Sequence, residues 1–464
     1  MHRRAFFCFV LAAFTWLACP AALADDVAPT ANDTVYKQPA SMRHVALDQR
    51  GRLRLARGDN GYAAAGEFVS QPIAVDGGGH VRVDWIEQWT TPQRWKKHQG
   101  NPIYGPELTG KWDTWTNGVS IVRNPDDETY KMFYCGRAGA GIGFAEASIN
   151  DPLTWKEHAA SPVLKPLANW EGNRINQPRV VKVTDQHWRL YYTGWGYEHP
   201  NGGSRWAFNL AESFDGGVTW KRHGEGPLLE RGAAASPDGG GVCVPEVRRV
   251  GNKWMMWYTA MKIASGQNIH LCLATSEDGI QWKKYSGNPV LTENFAKGPK
   301  RNVISRCFVR YVAGLFQMWY SHGKPNYRIK YAESLDGIAW ERSPIEPVLD
   351  VGPEGSWDSQ MVEYPEVDVV DGRWRLWFCG NGFGSVGYAE GVPETAIRVE
   401  MRSGQTVAPD DSWSRWKSIR RGATIMGQTH LQLRVQLTSS NSRVSPALHA
   451  LKVTSVCAER SSPP

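Results

Sequence analysis

Charged and amide side chains that interrupt an otherwise repeating pattern mark where chemistry can sit in this 464-residue chain. Glu363 stands in Glu363-Tyr364-Pro365 and Arg306 follows Ser305, while Glu246 and Glu366 each follow a proline. Asp113, Glu171 and Asp358 each follow a tryptophan. Two carboxyl groups in different surroundings can divide proton donation and proton abstraction between them. An arginine among them is either a ligand contact or half of an ion pair. The amides of Asn117, Asn176 and Gln177 can hold polar groups but cannot act as bases. Trp115 and Tyr364 supply flat aromatic faces, and Arg174 a further cation. The Trp-Asp/Glu pairs recur, so they also read as loop braces. Cysteines 135, 243, 272, 307, 379 and 457 form no CxxC or Cys/His metal spacing, and no metal or cofactor is expected.

The elements that must position these residues come from a repeat. Trp95, Trp155, Trp220, Trp282 and Trp340 lie 58 to 65 residues apart. Each unit opens on one of these tryptophans and carries an X-Pro pair, such as Asn101-Pro102 or Asn288-Pro289. A β-branched run follows, then an aromatic run such as Met256-Trp257-Tyr258 or Met318-Trp319-Tyr320, then a run through Ala145, Ala211, Ala274, Ala332 or Ala389. Short strands with Gly/Asp turns make one antiparallel sheet per unit. Such a sheet cannot bury both faces alone, and five copies arranged radially can. The expected fold is all-β: a five-bladed β-propeller inserted into or flanked by a β-sandwich. What recurs in every unit is read as scaffold, and what departs from it as a candidate for function. Aligning the units on Pro178, Pro245 and Pro365 puts Thr116/Asn117, Asn176/Gln177, Cys243/Val244, Ser305/Arg306 and Glu363/Tyr364 at one lip.

Flanking segments differ in texture. Residues 1–24 read as a signal peptide: Arg3 and Arg4, an apolar run, then Ala22-Leu23-Ala24. Export, periplasmic or extracellular, is therefore expected, and no run is long enough to span a membrane. Residues 25–92 hold an N-terminal segment and strand-like Gly66–Ile73 and Val81–Trp85, residues 93–392 the propeller, and residues 393–458 alternating strands such as Leu431–Leu437. The two flanks are expected to form one sandwich interrupted by the repeat, since an inserted unit needs only neighbouring termini. The formal charge of +7 falls to +5 without the two arginines of the signal segment, a mild excess that permits an acidic substrate but does not require one. No basic, aromatic-rich run suggests nucleic acid, and the sequence leaves the oligomeric state open.

The unit, with N-P-V-L, M-W-Y and S-x-D-G-x-x-W, resembles the five-bladed glycosidase superfamily of invertases, levansucrases, arabinanases and β-xylosidases over residues 93–391. Ser213–Trp220 matches the Asp-box turn of sialidase-type propellers, and the D-x-W-S-x-W turn at 411–416 resembles a β-sandwich module of bacterial secreted proteins. The superfamily resemblance implies hydrolysis of O-glycosyl bonds in an oligo- or polysaccharide, with two or three funnel carboxylates. It implies an Asp before the inner-strand proline in units one and two, where Asn117 and Gln177 stand. Its E-x-P of the third unit is here Cys243-Val244-Pro245, and Glu363-Tyr364-Pro365 supplies E-x-P in the fifth. Glu363 is thus the leading acid, with Asp113 and Glu171 as base partners and Glu246 as a further acid. Arg306, Asn176, Gln177, Asn117, Tyr364, Trp115 and Arg174 are the expected substrate contacts. A glycan-binding propeller without catalysis is the alternative, favoured by the missing Asp residues. A sialidase-like enzyme, suggested by Arg174 and Arg306, would need a third arginine and a sixth blade.

Overall fold

The computed structural model describes residue 35 and residues 39–75, 80–105, 112–113, 116–124, 126–196, 206–262, 269–293, 303–323, 326–382, 384–426 and 428–456. These are all-β, with no α-helix among them. The repeat folds as five four-stranded antiparallel sheets. Their first strands are Asn117–Asn124, Ile175–Lys182, Gly241–Val250, Ile304–Val312 and Val362–Val370. Each packs on the next, and the fifth lies against the first. The interfaces are filled by the aromatic second strands; Trp188, Trp257, Trp319 and Trp377 are fully buried. Burial of such rings is the main apolar contribution to the fold.

The sequence unit and the sheet are one strand out of phase. The short strand after each unit-opening tryptophan completes the sheet before it: Lys156–Glu157 the first, Lys221–Arg222 the second. Trp95–Lys97, which precedes all the others, becomes the fourth strand of the fifth sheet, with Ala389 opposite Lys97. Segments from the two ends of the repeat thus share one sheet.

The turns at the S-x-D segments are held by their own side chains. Asp215 accepts from Val218 N and Thr219 N at 3.1 and 2.9 Å, and Asp278 and Asp336 each accept from two backbone N–H groups at 2.8 Å. At Asp215 burial raises the carboxyl and the bonds from Thr219 outweigh it; at Asp278 the Gln281 N–H is the main cause, and both acids sit below their usual range.

Two further sheets come from both flanks. Ala65–Ser70 pairs with His430–Ser439, Phe68 opposite Val435, and His80–Gln88 pairs with Ala447–Val456, Val83 opposite Val453. Phe68, Val83, Trp85, Leu433, Val435 and Leu451 share one buried cluster. The flanks rest on the fourth repeat sheet: buried Arg52 bonds Glu341 at 2.6 Å, and Glu333 accepts from Trp89 N at 2.9 Å. Glu333 is fully buried and bonded to neutral donors, and burial pushes its carboxyl up to about 8.

Candidate functional site

All five first strands break their ladder near the start, between Asn117 and Ser120, Asn176 and Arg179, Cys243 and Pro245, Ser305 and Phe308, and Glu363 and Glu366. At each break one residue takes a left-handed backbone: Gly118, Gln177, Val244, Arg306 and Tyr364, with φ of 64, 54, 55, 53 and 52°. Four of the five are not glycine. Such conformations cost of order 1–3 kcal/mol each and collect at functional sites, and the bulge turns the side chain out of the ladder.

The second strand of the neighbouring sheet holds each bulge. Thr193 Oγ1 accepts from Val244 N at 3.3 Å, Thr259 Oγ1 from Arg306 N at 3.1 Å and Ser321 Oγ from Tyr364 N at 3.3 Å. Cys135 and Cys379 occupy the equivalent places, opposite Asn117 and Glu363; Cys135 Sγ donates to Asn117 O at 2.9 Å and lies beside the backbone of Gln177, and Cys379 lies beside that of Val119 and Gly118. Their thiols therefore belong to the scaffold. All five described cysteines are free and buried; burial lifts Cys135 to about 11 and Cys243 to about 12, which removes them as nucleophiles near neutral pH.

This register corrects the lip of the first sheet by one residue. Asn117 lies opposite Cys135 as Asn176 lies opposite Thr193, so the lip pair is Asn117/Gly118 and not Thr116/Asn117. No proline marks the register there, and a bulge at a glycine left no other signal.

Four of the five left-handed residues, Gln177, Val244, Arg306 and Tyr364, line a cavity of about 490 Å³. Asn117, Arg174, Asn176, Gln177, Arg306 and Tyr364 line it, so the structure brings these six together. Trp115 lies outside the described residues. Trp195, Trp206 and Tyr327 also line the cavity, and the sequence did not single them out. Their signal was a departure from the repeat, since Trp195 follows the Gly194 that ends an ordinary second strand. Trp195 and Trp206 stack at 5.4 Å, and the Arg174 guanidinium lies 5.9 Å from the Trp195 ring. The Arg306 guanidinium lies between the rings of Tyr327 and Tyr364, at 4.6 and 4.9 Å.

Several polar atoms at the cavity have no bonded partner among the described residues. Asn117 Oδ1 and Asn176 Nδ2 are buried and unbonded, although the two residues are only 6% and 7% exposed. Glu363, 1% exposed, sits beneath Arg306, with Oε2 3.1 Å from Nη1. That contact is an ion pair without hydrogen-bond alignment, because Oε2 has no bonded donor. Burial pushes the Glu363 carboxyl up, and Arg306 opposes it. Leaving buried donors and acceptors unpaired costs about 1–3 kcal/mol each, a cost that a polar ligand removes.

The other acids read from the sequence, Asp113, Glu171, Asp358 and Glu246, do not line the cavity, and the loop acids sit as braces, as their recurrence suggested. Glu171 accepts from Arg222 at 2.8 Å, Tyr192 at 2.7 Å and Leu167 N at 2.8 Å. Asp358 pairs with Lys97 at 2.5 Å, and Asp238 with Lys284 at 2.5 Å. Arg222, Lys284, Arg342 and Lys97 all stand opposite the recurring alanine of the third strand, so this is a repeated brace from loop to outer strand. In the first sheet that place is Glu157, which accepts from Trp112 Nε1 at 2.6 Å. Asp113, fully buried, accepts from Tyr134 at 2.9 Å, and its Oδ1 is unbonded among the described residues. In the three braces that carry a tryptophan, Trp112, Trp170 and Trp357, the ring needs a glycine beneath it: a Cβ on Gly194 would lie 2.4 Å from Trp170.

Glu246 lies farther along its strand. It meets Arg179 Nε at 2.6 Å, Arg248 Nη2 at 2.8 Å and Val309 N at 2.9 Å. Arg179 also grips Glu366 with both terminal nitrogens. A separate small space of about 10 Å³ is lined by Gln177, Val244 and Arg306, which also line the cavity, and by Arg179 and Glu366 of this network. Among the described residues lining the 490 Å³ cavity there is no carboxylate, and no group of three metal-ligating side chains occurs among the described residues.

No family model matches the chain. Two uncharacterized proteins of Mycobacterium tuberculosis strains, Rv1502 and MT1551, are each 25% identical, over 303 and 304 residues, covering 63% of this chain and 97% of theirs. Among solved structures, a BT0996 RGII complex superposes with a TM-score of 0.51 at 17% identity, over 65% of this chain and 93% of its own. A glycosyl hydrolase from Bacteroides ovatus superposes with a TM-score of 0.50 at 16% identity, over 67% and 99%. The shared feature at these identities is the fold: the chain has an all-β, glycoside-hydrolase-like architecture.

Proposed function

We propose that this is an exported glycoside-hydrolase-like protein that takes an oligo- or polysaccharide into the 490 Å³ cavity. In this reading the five repeat sheets are blades of a propeller, inserted into one sandwich made by the two flanks. The observation that carries it is the cavity itself: four of the five left-handed bulge residues meet there, with aromatic walls and buried amides unpaired among the described residues. Aromatic faces suit sugar rings, and unpaired donors and acceptors suit hydroxyl groups. Glu363 is the residue we place at the chemistry. Its burial favours the protonated carboxyl, the form that donates to a departing oxygen. Asp113, whose Oδ1 is unbonded among the described residues, is the remaining base partner, while Glu171 and Glu246 are committed to arginines.

A second reading, binding without turnover, is favoured by the described lining, which holds amides and arginines but no carboxylate. Hydrolysis by two carboxyl groups needs a partner for Glu363. A release assay on plant and bacterial glycans, with wild type and Glu363→Gln, separates the readings. Turnover by wild type and a loss of about 10²–10⁴-fold in the variant supports the first. Binding without turnover supports the second. Equal, non-zero release by both proteins removes Glu363 from the mechanism.

A further inference from the structure

Resting on the carbohydrate reading above, we infer that the cavity is built for a glycan carrying an acidic group, a carboxylate or a sulfate, met by Arg174 and Arg306. The described lining contains these two arginines and no carboxylate. The nearest acid, Glu363, is 1% exposed and lies under Arg306, so it neutralises that arginine at most. Arg174 makes no ion pair among the described residues and rests against the Trp195 face. Among the described lining residues one cationic charge is therefore left over.

Arg306 is prepared for recognition in other ways. Its guanidinium plane is fixed between Tyr327 and Tyr364, its backbone N–H is held by Thr259, and its left-handed φ of 53° aims it out of the strand. Its side chain remains 19% exposed, and Nε has no partner among the described residues. A planar guanidinium held in this way matches the geometry of a carboxylate or sulfate. Asn176 Nδ2 adds a further unpaired donor in the same cavity. The unpaired donors thus outnumber Asn117 Oδ1, the one unbonded amide acceptor among the described lining residues.

The test uses the full chain on an array of matched oligosaccharides, each in neutral, uronate, uronate methyl ester and sulfated form, followed by calorimetry on the tightest binder. The acidic form is expected to bind at least about ten-fold more tightly than its neutral or esterified match, the size of one charge-assisted contact. Raising NaCl should erode that preference. Arg174→Ala, at an exposed position without structural bonds among the described residues, should reduce the preference about ten-fold while leaving thermal unfolding unchanged. Arg174→Lys should restore part of it. The uronate and sulfate arms identify which acid is read. Equal binding of acid and ester overturns the inference and leaves the carbohydrate reading standing. An acid preference unchanged in Arg174→Ala overturns the assignment of the contact. If no member of the array binds, the carbohydrate reading fails and takes the inference with it.

Discussion

The first strands of the repeat sheets treat charge in opposite ways at their starts and at their middles. Near their starts, around the 490 Å³ cavity, Asn117 and Asn176 keep buried atoms without partners among the described residues, and Arg306 keeps a free Nε. A few residues on, Glu246, Arg179 and Glu366 form a buried network in which both carboxylates meet the same arginine. Arg179 Nε and Glu246 Oε2 are not aligned as a hydrogen bond, yet they face each other at 2.6 Å, so each charge is answered within the network. Both groups are buried, so burial alone does not separate site from scaffold. Saturation does: the network's charges answer one another, while the cavity end keeps polar atoms unpaired among the described residues.

The sharpest way to break this contrast is to unsaturate the network. Arg179→Ala leaves two buried carboxylates without their shared counter-charge, and about 3–5 kcal/mol of stability should go, read by chemical denaturation. A loss below about 1 kcal/mol would mean that the network is no more saturated than the cavity.

Glu333 provides an intermediate case, a buried carboxylate bonded to Trp89 N and Tyr331 rather than to a cation. Its folded value of about 8 lies above its ordinary 4.5. Its contribution to stability is therefore complete below about pH 4.5 and lost as pH rises through about 8. Glu333→Gln should flatten that fall and gain about 2 kcal/mol or more over wild type at about pH 9. Parallel stability–pH curves for the two proteins would show that Glu333 does not titrate in this window.

At the cavity, Thr259→Val removes the hydroxyl that accepts from Arg306 N. The expected cost is about 1–2 kcal/mol in denaturation, with glycan binding weakened as the bulge loosens. Unchanged binding would show that the second-strand hydroxyls do not position the cavity side chains. The smallest effect is expected from Cys379→Ser. Thr193, Thr259 and Ser321 fill the same position in other sheets, so stability should move by less than about 1 kcal/mol and binding should not change. A loss of activity would give that thiol a role beyond the scaffold.

The position of Cys379 also shows how much was legible in the chain. Tyr134-Cys135, Tyr192-Thr193, Tyr258-Thr259, Tyr320-Ser321 and Phe378-Cys379 form one column of the repeat. The column is visible in the sequence, but its use in holding a neighbouring bulge is not. Departures from the repeat identified Arg306, Glu363 and the three amides because packed repeats gather equivalent positions at one place. They did not separate Glu171, which answers Arg222 across its own sheet, from a residue of the cavity.

The repeat, its strands and its turns follow from the sequence, since alternation, aromatic spacing and Asp-to-backbone turn bonds act within a few residues. Tertiary structure alone decided which strand completes the fifth sheet, where the first bulge falls and which acids are neutralised. Those depend on partners such as Lys97 for Asp358 and Arg179 for Glu246, far apart in the chain. They depend also on left-handed turns at Gln177, Val244, Arg306 and Tyr364, which these residue types do not announce.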